Sequence, residues 1–204
     1  MSSVTFYVKI LKALDEIGAP YMIVGAFGGY AFGISRTTYD IDILVDLRPQ
    51  DFEAFSQHFP LPRYYADPEM MRSSTEMGIM FNIIDTNEGL KADLVPLRRD
   101  PEYQVAFGRR IRREFIDPSG SSFEAWIANP TDIIIGKLRA WDEGRSSKHP
   151  NDIYSILVFD LSGYSDITVD IGTVSSEAAH IGAETLEMWK QLVERAKSEV
   201  TKRK

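Results

Sequence analysis

The chain has 204 residues, 44% hydrophobic and 26% charged, with a net charge of −7. This is an ordinary composition for one globular domain, or one domain with a helical addition, and it argues against a protein that coats nucleic acid by bulk charge. With no cysteine in the chain, disulfides, thiolate metal sites and cysteine nucleophiles are excluded.

The N-terminal MSSVTFYVKILKALDEIG carries Lys9, Lys12, Asp15 and Glu16 among its apolar positions. It reads as an amphipathic helix rather than a signal peptide, and no apolar run approaches the roughly 20 residues of a membrane span. The expected compartment is the cytoplasm. Phe6, Val8, Ile10, Leu11, Leu14 and Ile17 recur mostly three or four apart, so a helix is expected over 3–17, capped by Ser2 or Ser3 and stopped by Gly18. Tyr21–Val24 reads as a short buried strand, 27–32 as a short helix ended by Gly33, and 41–45 as a second strand. A helix over 51–59 is closed by Pro60 and Pro62, and Asp67-Pro68 opens another. Residues 79–84 and 91–97 read as a hairpin turned by TNEG, with Asp93 in its second strand.

A short helix follows Pro101. Basic and apolar residues then alternate over 109–116, a strand with a charged outer face, and PSG turns the chain into a strand over 123–127. Pro130-Thr131-Asp132 caps a helix through Lys137 and Trp141. EGRSSKHPN reads as a polar loop, 152–161 as a helix and 174–200 as one long helix. The pattern passes from mixed α and β to all-α near residue 129. The expected organisation is an α+β core over 1–128 and a helical subdomain over 129–204.

The chemistry concentrates in VGAFGGYAFGISRTTYDIDILVD, residues 24–46. Asp40 and Asp42 are two apart on an extended segment and so share a face, offering oxygen donors to a hard cation such as Mg²⁺ or Mn²⁺. The glycine turn before them offers backbone N–H groups to a phosphate, and Gly25 lets backbone approach closely. With Asp93 on a neighbouring strand, three carboxylates suit a pair of cations that stabilise the attacking and leaving oxygens at a nucleotide α-phosphate. The plainer reading is a solvated acidic edge. Against it, the aspartates interrupt an otherwise apolar strand, where unpaired charge is costly.

Other residues leave two readings open. Arg36 suits a phosphate contact or a salt bridge to a carboxylate, and Thr38 suits phosphate orientation or a strand cap. Lys137 is a phosphate contact or a solvated charge. Asp152 is a helix N-cap or a catalytic group. The RRIRR ribbon at 109–113 is a solvated face or a contact for nucleic acid. His58, His149 and His180 have no metal-ligand spacing.

Val24, Gly25, Gly33, Arg36, Thr38, Asp40, Ile41 and Asp42 fall without a gap on the pattern V-G-G-x-A-x-x-x-x-G-x-x-R-x-T-x-D-I-D. In this the chain resembles the nucleotidyltransferase fold of the polymerase-beta superfamily, and within it the AbiEii-type and related small nucleotidyltransferases, which include toxins of toxin–antitoxin pairs. It departs at Ala26, where the family prefers Gly or Ser, and at Gly28, where the family has Ala. PTDIIIGKLRAW is similar to the family's lysine-bearing helix. KHPNDIYSIL is similar to its later K-D-x-x-D segment, with Asn151 and Ser155 at the lysine and second acidic positions. The likeness covers about residues 10–160.

The resemblance implies a mixed β-sheet flanked by helices, with a C-terminal helical part. It implies Mg²⁺ or Mn²⁺ on Asp40, Asp42 and Asp93. A nucleoside triphosphate is expected on Gly25, Ala26, Arg36, Thr38 and Lys137, and a catalytic set that adds Lys137 and Asp152 to the three aspartates. The implied reaction moves a nucleoside monophosphate to an acceptor hydroxyl or phosphate with release of pyrophosphate. The acceptor stays open among an RNA or tRNA end, a protein side chain and a small molecule such as an aminoglycoside. The alternative is a nucleotide-binding, catalytically weakened member of a toxin–antitoxin pair, with an antitoxin protein as partner.

Overall fold

A computed structural model of the chain describes residues 3–116 and 119–203. The cap expected at Ser2 and Pro118 of the PSG turn lie outside the described residues. The chain forms two compact units: one takes the chain up to Phe27 together with Thr37–Ala128, the other takes Gly28–Arg36 and the chain from Asn129 onward. The short segment 28–36 therefore groups with the later helices.

The first unit is built from α1 (Ser3–Glu16), β1 (Tyr21–Val24), the start of α2 (Gly25–Gly28), β2 (Asp42–Val45), α3 (Asp51–Gln57), β3 (Tyr64–Tyr65), α4 (Pro68–Met77), β4 (Phe81–Asp85), β5 (Leu90–Pro96), α5 (Pro101–Gly108), β6 (Ile111–Ile116) and β7 (Ser122–Ile127). Among the described residues its strands make one sheet in the order β3-β4-β5-β2-β1-β7-β6. β1 runs antiparallel to β2 and parallel to β7, while β2 and β5 are parallel. The architecture is the expected α+β, a mixed sheet with helices. Phe6, Tyr7, Ile10, Leu11 and Leu14 of α1 are buried, each contributing about 1.5–3 kcal/mol through apolar burial. Phe6 stacks on Tyr64 with ring centroids 6.1 Å apart, and Tyr7 meets Phe27 edge-on at 5.7 Å.

The hairpin over β4 and β5 forms as the turn chemistry of TNEG dictates. Asp85 holds its turn, accepting from the Asn87 and Glu88 amides at 3.1 and 3.4 Å and from Arg63 at 2.8 Å. β3, only two residues long, carries too little pattern to be seen in the sequence.

The second unit holds a 3-10 turn (Gly29–Phe32), α6 (Pro130–Gly144), α7 (Lys148–Leu161), α8 (Ile171–Ile181) and α9 (Ala183–Lys202). Asn129 caps α6 by accepting from the Asp132 amide at 3.0 Å, and Asp170 caps α8 through Thr173 at 2.8 Å. Two expectations are corrected. The helix expected over 174–200 is two helices, because Gly182 breaks it with extended backbone (φ 165°, ψ 162°), and glycine has the lowest helix propensity after proline. The polar loop ends earlier than expected, since α7 starts at Lys148 and places Pro150 in its first turn, where a missing N–H leaves nothing unpaired. No helix among the described residues is long and apolar enough to cross a membrane.

Candidate functional site

The first unit gathers the acidic residues by strand register. Asp42, the first residue of β2, is the partner of Asp93 on the parallel strand β5, and Asp93 is also the partner of Asn82 on β4. Register partners share a sheet face, so Asn82, Asp93 and Asp42 form one cross-strand row. Asp40 lies two residues before Asp42, outside the strand proper. The pairing carries on there, because the Asp93 amide donates to the Ile41 carbonyl at 2.9 Å. The Thr38 hydroxyl donates to Asp40, and the Asn82 side-chain amide donates to Asp93. Thr38 is thus an orienting partner for Asp40 in this structure. Asp93 is buried at 6% exposure, while Asp40 and Asp42 are partly exposed.

At the end of β1, Val24 is the register partner of Asp42, so the next residue, Gly25, begins α2 beside that carboxylate. Gly25 has φ +67°, and a Cβ there would clash with Asp42 Oδ2. Only glycine satisfies both the backbone angle and the close approach. Ala26, the departure from the resembled motif, is buried at 7% exposure, its methyl group turned away from solvent.

Lys91 had no role in the sequence reading and is central to the row. It lies two residues before Asp93 on β5, hence on the same face. Its Nζ donates to the two Asp93 oxygens at 3.1 and 3.0 Å. The hydrogen bond that Lys91 donates to Asp93 holds its ammonium above the ordinary lysine range against the opposing effect of burial, and the charges of Asp93, Asp40 and Asp42 add to the rise. Three carboxylates with an asparagine amide are hard oxygen donors, the type that suits Mg²⁺ or Mn²⁺. Their arrangement is not a closed ligand set: among the described residues no three acidic, histidine or cysteine side chains stand together ready to hold a metal ion. The donor chemistry fits a divalent cation, and the cation that the row holds is an ammonium.

The second unit carries a separate ion set. Arg36 Nε and Nη2 donate to Asp152 Oδ1 and Oδ2 at 2.8 and 2.9 Å, and Lys137 Nζ donates to Asp152 Oδ2 at 2.6 Å. Of the two readings left open for Arg36, the structure shows the carboxylate salt bridge. Lys137 is not a solvated charge, with a side chain only 5% exposed against 36% for Arg36. Asp152 is not the N-cap of α7, since that position belongs to Ser147. Burial pushes the Asp152 carboxyl up, but the hydrogen bonds and charges of Arg36 and Lys137 outweigh it and hold the group below the usual carboxylate range. Asp152 thus accepts from two cations at once. Next to it His149 keeps a buried Nδ1 without a hydrogen-bond partner. Burial, with Lys137 and Lys148 adding, pushes its imidazole down to about 4, so it is neutral at pH 7.

The basic ribbon is largely occupied by its own strands. Arg110 lies over Phe107 and Trp126, 4.2 and 4.9 Å from their centroids, and donates to the Phe107 carbonyl at 2.8 Å. Arg112 lies over Trp126 and pairs with Glu124 at 3.4 Å.

Neither protein-family models nor curated protein sequences match the chain. Among solved structures, the antibiotic-resistance factor ANT(2'')-Ia in solution is similar at 16% identity and a TM-score of 0.46, over 98% of this chain and 95% of that one. An antigenic nucleotidyltransferase-like protein from Paracoccidioides brasiliensis is similar at 13% identity and 0.47, over 76% and 75%. JHP933 from Helicobacter pylori is similar at 13% identity and 0.44, over 97% and 93%. At these identities and scores the likeness assigns no residue a role.

Proposed function

We propose that this protein is a nucleotidyltransferase that moves a nucleoside monophosphate from a nucleoside triphosphate to an acceptor hydroxyl or phosphate, with release of pyrophosphate. The observation that carries the reading is the close packing of Gly25 on Asp42, with Asp42 and Asp93 in one cross-strand row. A side-chain-free turn beside paired carboxylates lets phosphate oxygens come close to the acidic face. It falls on the residues that match the ungapped Val24–Asp42 pattern.

In this reading Asp40, Asp42 and Asp93 hold Mg²⁺ or Mn²⁺, which when bound supplies charge stabilisation at the α-phosphate and a more acidic acceptor hydroxyl. Thr38 fixes the Asp40 carboxylate. Asp93, its position set by Asn82, takes the attacking side and orients the acceptor. Gly25 and the Ala26 amide hold terminal phosphates. In the second unit Arg36, Lys137 and Asp152 are assigned to phosphate by the matched sequence pattern. Arg36 has the solvent-reaching guanidinium for the contact, and Lys137 acts through Asp152 to position it. The acceptor is an RNA or tRNA end, a protein side chain or a small molecule, since the reaction core is common to all three.

Incubation with Mg²⁺, labelled nucleoside triphosphates and total tRNA, protein or aminoglycoside tests the reading. Transfer that disappears in Asp42→Ala is the expected result. A second reading, a nucleotide-binding protein without transfer that pairs with an antitoxin, is favoured by one observation: Asp93 is neutralised by Lys91. It predicts nucleotide binding with no transfer to any acceptor.

A further inference from the structure

The buried Asp93 carboxylate needs a cation at all times. Its side chain is 9% exposed, and a carboxylate so far from water is strongly destabilising when left unpaired. The Lys91 ammonium meets that need, touching both carboxylate oxygens, yet the lysine side chain is itself 51% exposed. It lies on β5 two residues before Asp93, whose register partner on the neighbouring parallel strand is Asp42. Lys91 therefore stands on the Asp93 side of the acidic row, near enough to Asp40 and Asp42 for their charges to act on it. A lysine ammonium is a point charge on a four-carbon stem, able to leave for solvent with little rearrangement, whereas an arginine fork holds both oxygens at once.

We infer that Lys91 is a tethered stand-in for the divalent cation: it pairs with Asp93 while the metal is absent, swings to solvent when a metal arrives, and so sets how tightly the acidic row takes that metal. The inference rests on the reading of Asp40, Asp42 and Asp93 as a cation site. Two consequences follow from charge alone. Removing the ammonium removes a competitor for the same oxygens, so the metal binds more tightly. It also leaves the carboxylates to repel one another when no metal is present, so the variant depends on metal for stability.

The test is direct titration of the full chain with Mn²⁺, free ion being read by electron paramagnetic resonance without nucleotide, alongside thermal melts in chelator and in Mg²⁺. Lys91→Met is expected to bind Mn²⁺ about tenfold or more tighter than the parent, the effect of removing one unit charge a few ångströms away. It is also expected to melt below the parent in chelator and to gain more from Mg²⁺. Lys91→Arg is expected to bind more weakly than the parent, and Lys12→Met, on the exposed side of α1, to leave the affinity unchanged. Lys91→Gln serves where Lys91→Met does not fold. Equal Mn²⁺ affinities in the parent and the neutral Lys91 variant, or an equal gain in Lys12→Met, overturn the stand-in role. Binding that is still lost in Asp42→Ala then leaves the cation site itself intact. No Mn²⁺ binding in parent or variant removes the cation site, and the role of Lys91 with it.

Discussion

Gly25 and Asp42 are packed together through a missing side chain: Gly25 holds φ +67°, and a Cβ there would clash with Asp42 Oδ2. Gly25→Ala therefore combines two penalties, a left-handed backbone of about 1–2 kcal/mol and a displaced carboxylate. Gly18 separates them, because it has the same φ of +67° and no atom within 4 Å of its virtual Cβ. Both Ala variants are expected to melt lower, Gly25→Ala by the larger amount. Only Gly25→Ala is expected to lose transfer, by about a hundredfold, as displacements near 1 Å at reacting groups do. Equal transfer in the two variants would separate Gly25 from the reaction.

Asp152 binds two cations within a buried set, so removing it takes away the acceptor that Lys137 Nζ meets at 2.6 Å. Asp152→Ala is expected to lose about 3–5 kcal/mol in denaturant unfolding, the scale for breaking a buried pair from one side. Arg36, with a third of its side chain in solvent, contributes less to that loss. Lys137→Met with Asp152→Leu removes both buried charges and is expected to recover most of the stability. Purely additive losses would show that the pair is not the source of the effect. The depressed Asp152 pKa has a defined sign: its stabilisation is complete above the unfolded carboxylate value and fades as pH falls through the lower folded one.

The site was legible in the sequence wherever its chemistry is local. Hydrophobic spacing and turn residues placed β1, the turn, the DxD segment and the hairpin carrying Asp93, because each signal spans fewer than a dozen residues. What lies outside that range depends on pairing between distant strands and helices. Lys91 faces the acidic row only because β5 runs parallel to β2, and alternation within one strand says nothing of its neighbour. Arg36 and Asp152 meet across 116 residues. Asp152 follows a proline and so looked like a cap, but α7 begins four residues earlier, which turns it inward. One glycine in an otherwise unbroken helical pattern, Gly182, was too weak a signal to divide α8 from α9.

His149 gives a pH signature. Its folded pKa of about 4 lies below the ordinary 6.5, because burial and the charges of Lys137, Lys148 and Arg36 disfavour the imidazolium more than Asp152 favours it. The unfolded chain therefore takes up a proton first. Stability from this group is complete above pH 6.5 and declines as pH falls toward 4, with a slope no steeper than about 1.4 kcal/mol per pH unit for one proton. Unfolding free energies measured across that range should fall less steeply in His149→Gln than in the parent. Parallel curves would assign the slope to other groups.

Asp85 organises the hairpin that delivers Asp93. It is fully buried and accepts from Arg63 Nη2 at 2.8 Å and from the amides of Asn87 and Glu88. Burial pushes its carboxyl up, yet these donors together hold it below the usual range. Asp85→Ala leaves the turn amides without their acceptor and is expected to cost about 2–4 kcal/mol. Asp85→Asn keeps an oxygen for the amides and loses only the charge facing Arg63, so it should cost less. Hydrogen exchange at β4 and β5 localises the effect: faster exchange there in Asp85→Ala, with α9 unchanged, is the expected pattern, since α9 belongs to the other compact unit. Uniform acceleration through both units would mean that the hairpin does not open on its own and that Asp85 supports the whole fold.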